Sequence, residues 1–231
     1  MTRLLVHVEG QTEEGFVKGP LREHLLANGY ERVDARLLGN ARQRNRRGGI
    51  RPWSAAKRDI VRHLKEDQGC AATTLVDFYG MPFDDSKGWP GRREANLVGF
   101  EQKAGAVEAR LLNDVSQEMG SGFDRSRFIP FVAMHEFEGI LFSDCTTFAD
   151  SIGRPDITAE LQEIRDQFSN PEEINDSSTT APSKRIQRLM PNYSKVIHGN
   201  KAALEIGLTK IKGACPHFQE WLERLEALSG A

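Results

Sequence analysis

The chain has 231 residues, of which 39% are hydrophobic and 28% charged, a balance that permits a packed core and either one large domain or a domain with a subdomain. Its net charge of −2 excludes a polycation that binds nucleic acid with its whole surface, so such binding requires a local basic patch. The three cysteines, Cys70, Cys145 and Cys215, lie far apart, which excludes a disulfide framework and a zinc-ribbon spacing.

The sequence carries no recognisable targeting or membrane signal. The N-terminus lacks a basic segment followed by a long apolar run, so we expect no signal peptide. No stretch approaches the length of a membrane span, so we expect no membrane contact. Together with the cysteine pattern, these features predict a cytoplasmic protein.

The N-terminal segment predicts a buried strand that leads into a helix. Residues 4–8 are mostly branched and apolar, which is typical of a parallel strand covered on both faces. Gly10 permits a tight turn, and Thr12 favours the start of a helix. Glu9 therefore lies at the end of a strand, where ligands bind in open α/β sheets, unless it merely caps or pairs locally.

Strand and helix patterns alternate along the residues that follow. We predict helices at residues 16–26, 53–66 and 92–119, and strands at residues 33–38, 71–76 and 128–134. An arginine-rich loop is predicted at residues 39–51, and a glycine- and proline-rich loop at residues 78–90. Alternating elements with short links indicate an α/β fold with a doubly wound, Rossmann-like parallel sheet flanked by helices.

The pattern changes after residue 142, where only helical segments follow. We predict helices at residues 158–168, 183–190, 201–206 and 217–228, with an irregular polar loop at residues 170–182. The predicted organisation is therefore an α/β domain at residues 1–142 and a helical C-terminal region at residues 143–231 that packs on it.

Acidic residues follow three of the predicted strands. Glu9 follows the first strand, Asp77 the third, and Glu136 with Glu138 the fourth. Parallel strands end along one edge of a sheet, at spacings of roughly 5 Å, so these carboxylates should converge. Converged carboxylates repel one another unless a cation neutralises them, and Mg²⁺ prefers such oxygen ligands. A site of this kind suits phosphodiester chemistry.

Several segments of the chain resemble one bacterial family. The segments are VEGQTEE, VDFYGMP, HEFEGILFSD, NPEEIND, APSKR and CPHFQEWL. They resemble the family catalogued as domain of unknown function 4276 (DUF4276), which looks Toprim-like and is similar to the nuclease halves of overcoming-lysogenization-defect (OLD) systems. The resemblance spans nearly the whole chain and implies a Toprim-like fold.

The resemblance also implies a metal-dependent nuclease subunit. Toprim domains bind Mg²⁺ through a glutamate after the first strand, which Glu9 matches, and an Asp-x-Asp pair, of which Asp77 matches the first member. The second position is Tyr79 and not aspartate, so Glu136 or Glu138 is the candidate that compensates. We accordingly expect Mg²⁺ or Mn²⁺ as cofactor, with Glu9 as general base or metal ligand and the other three carboxylates as ligands.

The resemblance further implies a partner and leaves one alternative open. Related nucleases act in anti-phage defence beside an ATPase of the AAA or ABC type, so such a partner is expected, and a homo-oligomer is left open. The alternative is a non-catalytic binding or regulatory module of such a system, whose Toprim site is degenerate. The departure from Asp-x-Asp at Tyr79 separates the two interpretations.

A basic stretch supplies candidate nucleic-acid contacts. Arginines are concentrated in the loop after the second predicted strand, at Arg42, Arg44, Arg46, Arg47 and Arg51. Phosphate backbones are bound by such clusters, and the alternative is a solvated loop without a ligand. Lys184 and Arg185 are further candidates, on the strength of the family resemblance alone.

Overall fold

The computed structural model of the protein describes residues 2–38, 50–84, 87–174, 177 and 179–229. Its strands are β1 (Arg3–Val8), β2 (Arg32–Leu37), β3 (Cys70–Asp77), β4 (Phe128–Ile129) and β5 (Val132–Ala133). Within the described ranges these form one parallel sheet in the order β2-β1-β3-β4, with β5 also paired to β3. The predicted fold class, a parallel sheet flanked by helices, is confirmed.

Helices cover both faces of this sheet. The helices are α1 (Gln11–Phe16), α2 (Arg22–Ala27), α3 (Trp53–Glu66), α4 (Phe100–Met119), α5 (Cys145–Ser151), α6 (Thr158–Arg165), α7 (Pro182–Leu189), α8 (Asn200–Ala214) and α9 (Pro216–Ser229). One hydrophobic core joins α3 and α4 to β3, with Ile60, Val76 and Leu111 among its fully buried members. The other core joins α1, α2 and the C-terminal helices to the opposite face of the sheet.

Strand β1 is an inner strand of the sheet and is hydrogen-bonded on both sides. Leu4 lies opposite Val33 of β2 and Ala71 of β3, and all three strands run in the same direction. Leu4, Val6 and Val8 are buried on one face, and His7 is fully buried on the other. The carboxyl ends of β1 and β3 therefore meet at one edge, as the sequence predicts.

The helix predicted at residues 16–26 is wrong as a continuous element. A π-helical turn, Val17–Leu21, separates α1 from α2, and Gly19 within it has the non-helical angles φ −96° and ψ −111°. Pro20 follows Gly19 and has no backbone N–H to continue the hydrogen-bond ladder. The apolar spacing was helical, but the proline breaks the helix.

The strand predicted at residues 128–134 is also interrupted, by Pro130 between β4 and β5. Side-chain hydrogen bonds to the backbone replace the strand-to-strand hydrogen bonds there. The Thr74 hydroxyl accepts a hydrogen bond from the Phe131 N–H and donates one to the Phe131 carbonyl, both at 2.9 Å. A carboxylate oxygen of Glu108 accepts from the Val132 N–H at 2.9 Å. The break thus leaves these buried backbone groups satisfied.

The remaining predicted helices are found with shifted ends. Helix α3 coincides with the prediction for residues 53–66, and α4 begins only after Gly99, its N-cap. Helices α6, α7, α8 and α9 correspond to the four predicted C-terminal helices, whereas α5 was not predicted. Helix α8 runs well past residue 206 and bends at Gly207, whose φ of 78° lies in the left-handed region.

Residues on both sides of position 143 share one hydrophobic core. Leu4, Phe137, Phe148 and Trp221 all belong to it. The division into domains at residues 1–142 and 143–231 stays a prediction. In the part of the chain that the structure describes, none of the helices combines the length and the apolarity that crossing a membrane requires.

Candidate functional site

The carboxyl edge of β1 and β3 brings Glu9 and Asp77 together. Glu9 directly follows β1, and Asp77 is the last residue of the neighbouring β3. An oxygen of the Glu9 carboxylate, Oε2, lies 3.3 Å from the backbone nitrogen of Asp77 and accepts its hydrogen bond. The parallel register of these two strands, with Val8 opposite Leu75, sets this contact.

Asp77 in turn holds the segment that follows β5. Its Oδ1 accepts a hydrogen bond from the Phe137 N–H at 2.8 Å. Backbone hydrogen bonds continue beside Asp77. The Phe78 N–H donates to the Ala133 carbonyl at 2.9 Å, and the Tyr79 N–H donates to the His135 carbonyl at 3.0 Å. Residues 133–137 therefore run along the end of β3 and carry the next two glutamates into the site.

Glu136 and Glu138 lie at the start of a 3₁₀ helix, Phe137–Ser143, where Glu138 is buried and the Glu136 side chain is 11% exposed. Glu136 Oε2 accepts a hydrogen bond from the Ser183 N–H, in the first turn of α7, at 2.9 Å. Glu138 is 1% exposed, and its Oε1 has no hydrogen-bond partner among the described residues. Two elements thus fix Glu136, while Glu138 retains an unpartnered oxygen.

Glu13 joins this site without having been predicted. It lies on the buried side of α1 with Thr12 and Phe16, is 6% exposed, and accepts the Gly10 N–H at 2.9 Å through Oε2. The sequence analysis missed Glu13 because glutamate is ordinary in the first turn of a helix. The sequence does not distinguish Glu13 from its neighbour Glu14, because only the packing of α1 buries Glu13. We call Glu9, Glu13, Asp77, Glu136 and Glu138 the acidic cluster.

Lys195 is a second residue that the sequence did not reveal. Its Nζ lies 2.8 Å from Glu138 Oε2 and 3.4 Å from Glu136 Oε1. Burial lowers the pKa of Lys195, but the carboxylates of Glu138, Asp77 and Glu136 outweigh burial and raise that pKa overall. Lys195 therefore stays protonated and brings a positive charge from the C-terminal region into the cluster.

Burial disfavours the ionised form of the cluster's carboxylates. Burial first, and the Glu13 carboxylate second, raises the pKa of Glu9 to about 7. Burial, followed by the charges of Glu9 and Glu13, holds the pKa of Asp77 well above its usual value. Burial raises the pKa of Glu138 to about 7 against the opposing effect of Lys195. One lysine thus does not neutralise the cluster.

The donor set of the cluster suits a hard divalent cation, because every side chain in it offers carboxylate oxygens and one buried oxygen is unpartnered. The positions of these side chains do not yet form a coordination sphere. Within the described ranges no three or more His, Cys, Asp or Glu side chains are placed to hold one ion. Lys195 occupies oxygens of Glu136 and Glu138, so metal binding requires these groups to rearrange.

The loop after Asp77 packs closely on Glu9. A Cβ atom at Gly80 would lie 3.0 Å from Glu9 Oε1 and 3.1 Å from Oε2, tighter than ordinary contact. A larger residue at position 80 would therefore require the Glu9 carboxylate to shift. Tyr79, two residues after Asp77, has an exposed side chain and contributes no carboxylate.

The predicted basic contacts are described only in part. Arg42, Arg44, Arg46 and Arg47 lie outside the described residues. Lys184 is exposed on α7, next to the Ser183 N–H that binds Glu136, and its Nζ lies 3.3 Å from Gln187 Oε1. The Arg185 Nε donates to the Thr180 carbonyl at 2.9 Å, and its guanidinium lies 5.4 Å from the Phe168 ring centre. Helix α7 thus connects this basic pair to the cluster.

A groove of about 620 Å³ along α3 lies apart from the acidic cluster. Its lining residues include four basic side chains, Lys57, Arg58, Arg62 and Lys65. Lys57 is paired with Asp114 at 3.1 Å, and Arg62 with Asp59 at 3.0 Å. No cluster carboxylate lines the described part of this groove, so it is not the candidate reaction site.

The raised pKa of Glu138 predicts a pH dependence of stability. A carboxyl group with a folded pKa of about 7 and an ordinary value of 4.5 binds its proton more tightly in the folded state. Its stabilising effect is therefore complete below pH 4.5 and is lost as the pH rises through 7. We expect Glu138 alone to cost the metal-free protein on the order of 2 kcal/mol, about 4–8 °C in Tm, between pH 5.5 and 8.

Thermal denaturation of wild type and of Glu138→Gln, in chelator at both pH values, measures this effect. Glutamine has no proton to release, so its pH dependence should be flatter than that of wild type by that amount. Identical pH profiles for the two proteins would show that Glu138 titrates normally.

Comparison with known proteins adds a family and two solved structures. The family model described as "Domain of unknown function (DUF4276)" matches residues 8–226. No curated protein matches the sequence significantly. Two structures of the C-terminal region of the OLD protein from Xanthomonas campestris pv. campestris, phased with mercury and with iodine, are similar over 100% of this chain and 97% of theirs, with 16% and 15% identity and TM-scores of 0.42 and 0.43.

Proposed function

This chain belongs to the DUF4276 family, and we propose that it is a Mg²⁺-dependent, Toprim-like nuclease subunit that cleaves nucleic-acid phosphodiesters. One observation carries the proposal. Carboxylates from the first strand, the third strand and the segment after β5 meet at one sheet edge, where burial raises the pKa of Glu9, of Asp77 and of Glu138. Buried carboxylates that repel one another are suited to bind a divalent cation, because the cation neutralises their charge.

The chemistry follows from the residues of the cluster. When bound, Mg²⁺ or Mn²⁺ supplies charge stabilisation at a phosphate and activates a water molecule. Asp77, Glu136 and Glu138 are the ligands that this chain offers. Glu9 either ligates or accepts the proton of the attacking water, and its pKa of about 7 suits a general base near neutral pH.

Two observations favour a second candidate, a non-catalytic binding or regulatory module. Tyr79 stands where Toprim domains carry a second aspartate, and Lys195 already pairs with two of the candidate ligands. A site that keeps its lysine and never takes a metal would bind partners without cutting. This candidate predicts nucleic-acid or protein binding that is indifferent to divalent ions.

Cleavage assays separate the two candidates. Purified protein is incubated with single- and double-stranded DNA and RNA in Mg²⁺, in Mn²⁺ and in chelator, with and without its ATPase partner. The nuclease proposal expects products in either metal and none in chelator. Intact substrates under every condition, in the presence of the partner, would favour the binding module.

The proposal extends to the setting in which the subunit works. The family resemblance supports a role in anti-phage defence beside an AAA- or ABC-type ATPase, and we propose the cytoplasm as its compartment. The ATPase partner belongs to the proposal on the strength of the resemblance, whereas a homo-oligomer is left open.

We also propose that the arginine stretch binds the substrate backbone. Replacing Arg44, Arg46 and Arg47 with alanine is expected to weaken nucleic-acid binding and to flatten its salt dependence, because each lost phosphate contact lowers the slope by about 0.9 on duplex DNA. Binding titrations at several salt concentrations measure both quantities. The charge-matched control replaces Arg3, Arg32 and Arg154 with alanine. The side chain of each of these arginines is hydrogen-bonded to an aspartate. Equal slopes for the two triple variants would remove the stretch from the substrate path.

A further inference from the structure

Lys195 brings a positive charge into the acidic cluster from the C-terminal region. Its Nζ contacts Glu138 Oε2 at 2.8 Å and Glu136 Oε1 at 3.4 Å, and the two carboxylate side chains are 1% and 11% exposed. Charges in such a pair are strongly coupled, because either partner alone would be left poorly solvated. The lysine therefore acts as the counter-ion of these two glutamates in the metal-free protein.

The backbone that carries Lys195 is fixed, whereas its side chain has a route to solvent. The segment Lys195–Gly199 is held at its start by Ser194, whose N–H donates to His198 Nδ1 at 2.9 Å and whose hydroxyl accepts from the Ile197 N–H at 3.3 Å. The Lys195 side chain is nevertheless 38% exposed. Rotation of the side chain alone can therefore move the ammonium away from the cluster.

Polar atoms beside the ion pair are ready to accept another ligand. Glu138 Oε1 and the Tyr193 hydroxyl are buried and have no hydrogen-bond partner in the described part of the chain. Tyr193 lies within the electrostatic reach of Glu138 and Glu136. Glu138 thus gives one oxygen to Lys195 and keeps a second oxygen for a different cation.

We infer that Lys195 competes with the divalent ion for Glu136 and Glu138, so that release of the lysine from these carboxylates sets the metal affinity of the site. This inference rests on the metal site of the proposed function. An ammonium 2.8 Å from a carboxylate oxygen occupies the same lone pairs that a cation needs and repels that cation. Metal binding therefore includes the displacement of Lys195 toward solvent.

Removal of the lysine charge tests the competition directly. Lys195→Met keeps the length of the side chain and removes its charge, and Lys195→Gln is a second variant that can still donate a hydrogen bond to Glu138. Calorimetric titration with Mn²⁺ alone should give a Kd at least about tenfold lower for either variant than for wild type. Lys195→Arg keeps the charge and should bind Mn²⁺ as weakly as wild type.

The matched control is Lys210→Met. Lys210 also pairs with a carboxylate, that of Asp144, but outside the acidic cluster, so its loss should leave the Mn²⁺ affinity unchanged. A Kd that is unchanged or higher in both Lys195→Met and Lys195→Gln would overturn the inference. That result would instead fit a lysine that serves the substrate and not the metal site.

The binding readout keeps this inference separate from the nuclease proposal. Tight Mn²⁺ binding by the lysine variants, together with no cleavage by wild type in any metal, supports the competition and overturns the nuclease. Cleavage by wild type with equal Mn²⁺ affinity in the variants overturns the competition and leaves the nuclease. Failure of wild type and of every variant to bind Mn²⁺ overturns both.

Discussion

Replacing Glu9 with glutamine, or Asp77 with asparagine, is expected to lower metal-dependent cleavage by at least about 100-fold while the protein stays folded. Each substitution removes a charge from the group that would bind or use the metal, a contribution of several kcal/mol. The local hydrogen bonds survive, because the new amide oxygens can still accept from the Asp77 and Phe137 N–H groups. Initial rates in Mg²⁺, with circular dichroism of each variant, measure the two effects.

The control for this experiment is Glu14→Gln. Glu14 lies on the same helix as Glu13, but its carboxylate pairs with the exposed Lys18 and takes no part in the acidic cluster. Its loss should leave the rate unchanged. A Glu9→Gln or Asp77→Asn protein that cuts as fast as this control would rule out the acidic cluster as the active site.

Replacing Trp221 with alanine is expected to destabilise the fold by about 3–5 kcal/mol, with Tm lower by roughly 10 °C. Trp221 is 2% exposed and stacks on Phe131 with ring centres 4.5 Å apart. Its indole N–H also donates to the Thr73 hydroxyl in β3 at 2.9 Å. The substitution therefore leaves a large cavity and removes a buried hydrogen bond between α9 and the sheet. Thermal and chemical denaturation measure the loss.

Two further variants provide comparisons for the size of the destabilisation by Trp221→Ala. Trp221→Phe keeps an aromatic ring against Phe131 but loses the hydrogen bond and the volume of one ring, so it should cost about 1–3 kcal/mol, less than Trp221→Ala. Leu97→Ala, at a side chain that is 87% exposed, should leave stability almost unchanged. The shape of the transition also tests the predicted domain boundary. One cooperative unfolding step shifted by Trp221→Ala would join residues 143–231 to the sheet, whereas a separate early step would make them a domain.

The sequence predicted those features that depend on local periodicity and strand direction. The branched residues 4–8 marked β1, and the helical pattern of residues 53–66 marked α3, because such patterns act over a few residues. The meeting of Glu9 with Asp77 followed from a single rule, that parallel strands end at one edge. This rule needs no knowledge of side-chain packing.

The features that were missed depend on interactions that override or exceed such local patterns. Pro20 and Pro130 were visible in the sequence, but the helical and strand periodicity around them was given more weight than the missing N–H. Lys195 lies 57 residues from Glu138 along the chain, between residues without any acidic pattern, so no local signal points to their contact. Only the packing of the C-terminal region on the sheet creates it.

The contact between Lys195 and Glu138 also sets an order of events during synthesis of the chain. The last carboxylate of the cluster leaves the ribosome 57 residues before the lysine that neutralises it. At about 5–20 residues per second this interval is roughly 3–11 s. Throughout it, the edge of the nascent sheet cannot close over its ionised glutamates unless a proton or a cellular cation takes the place of Lys195. Burial of this edge therefore waits either for Lys195 or for one of these two substitutes.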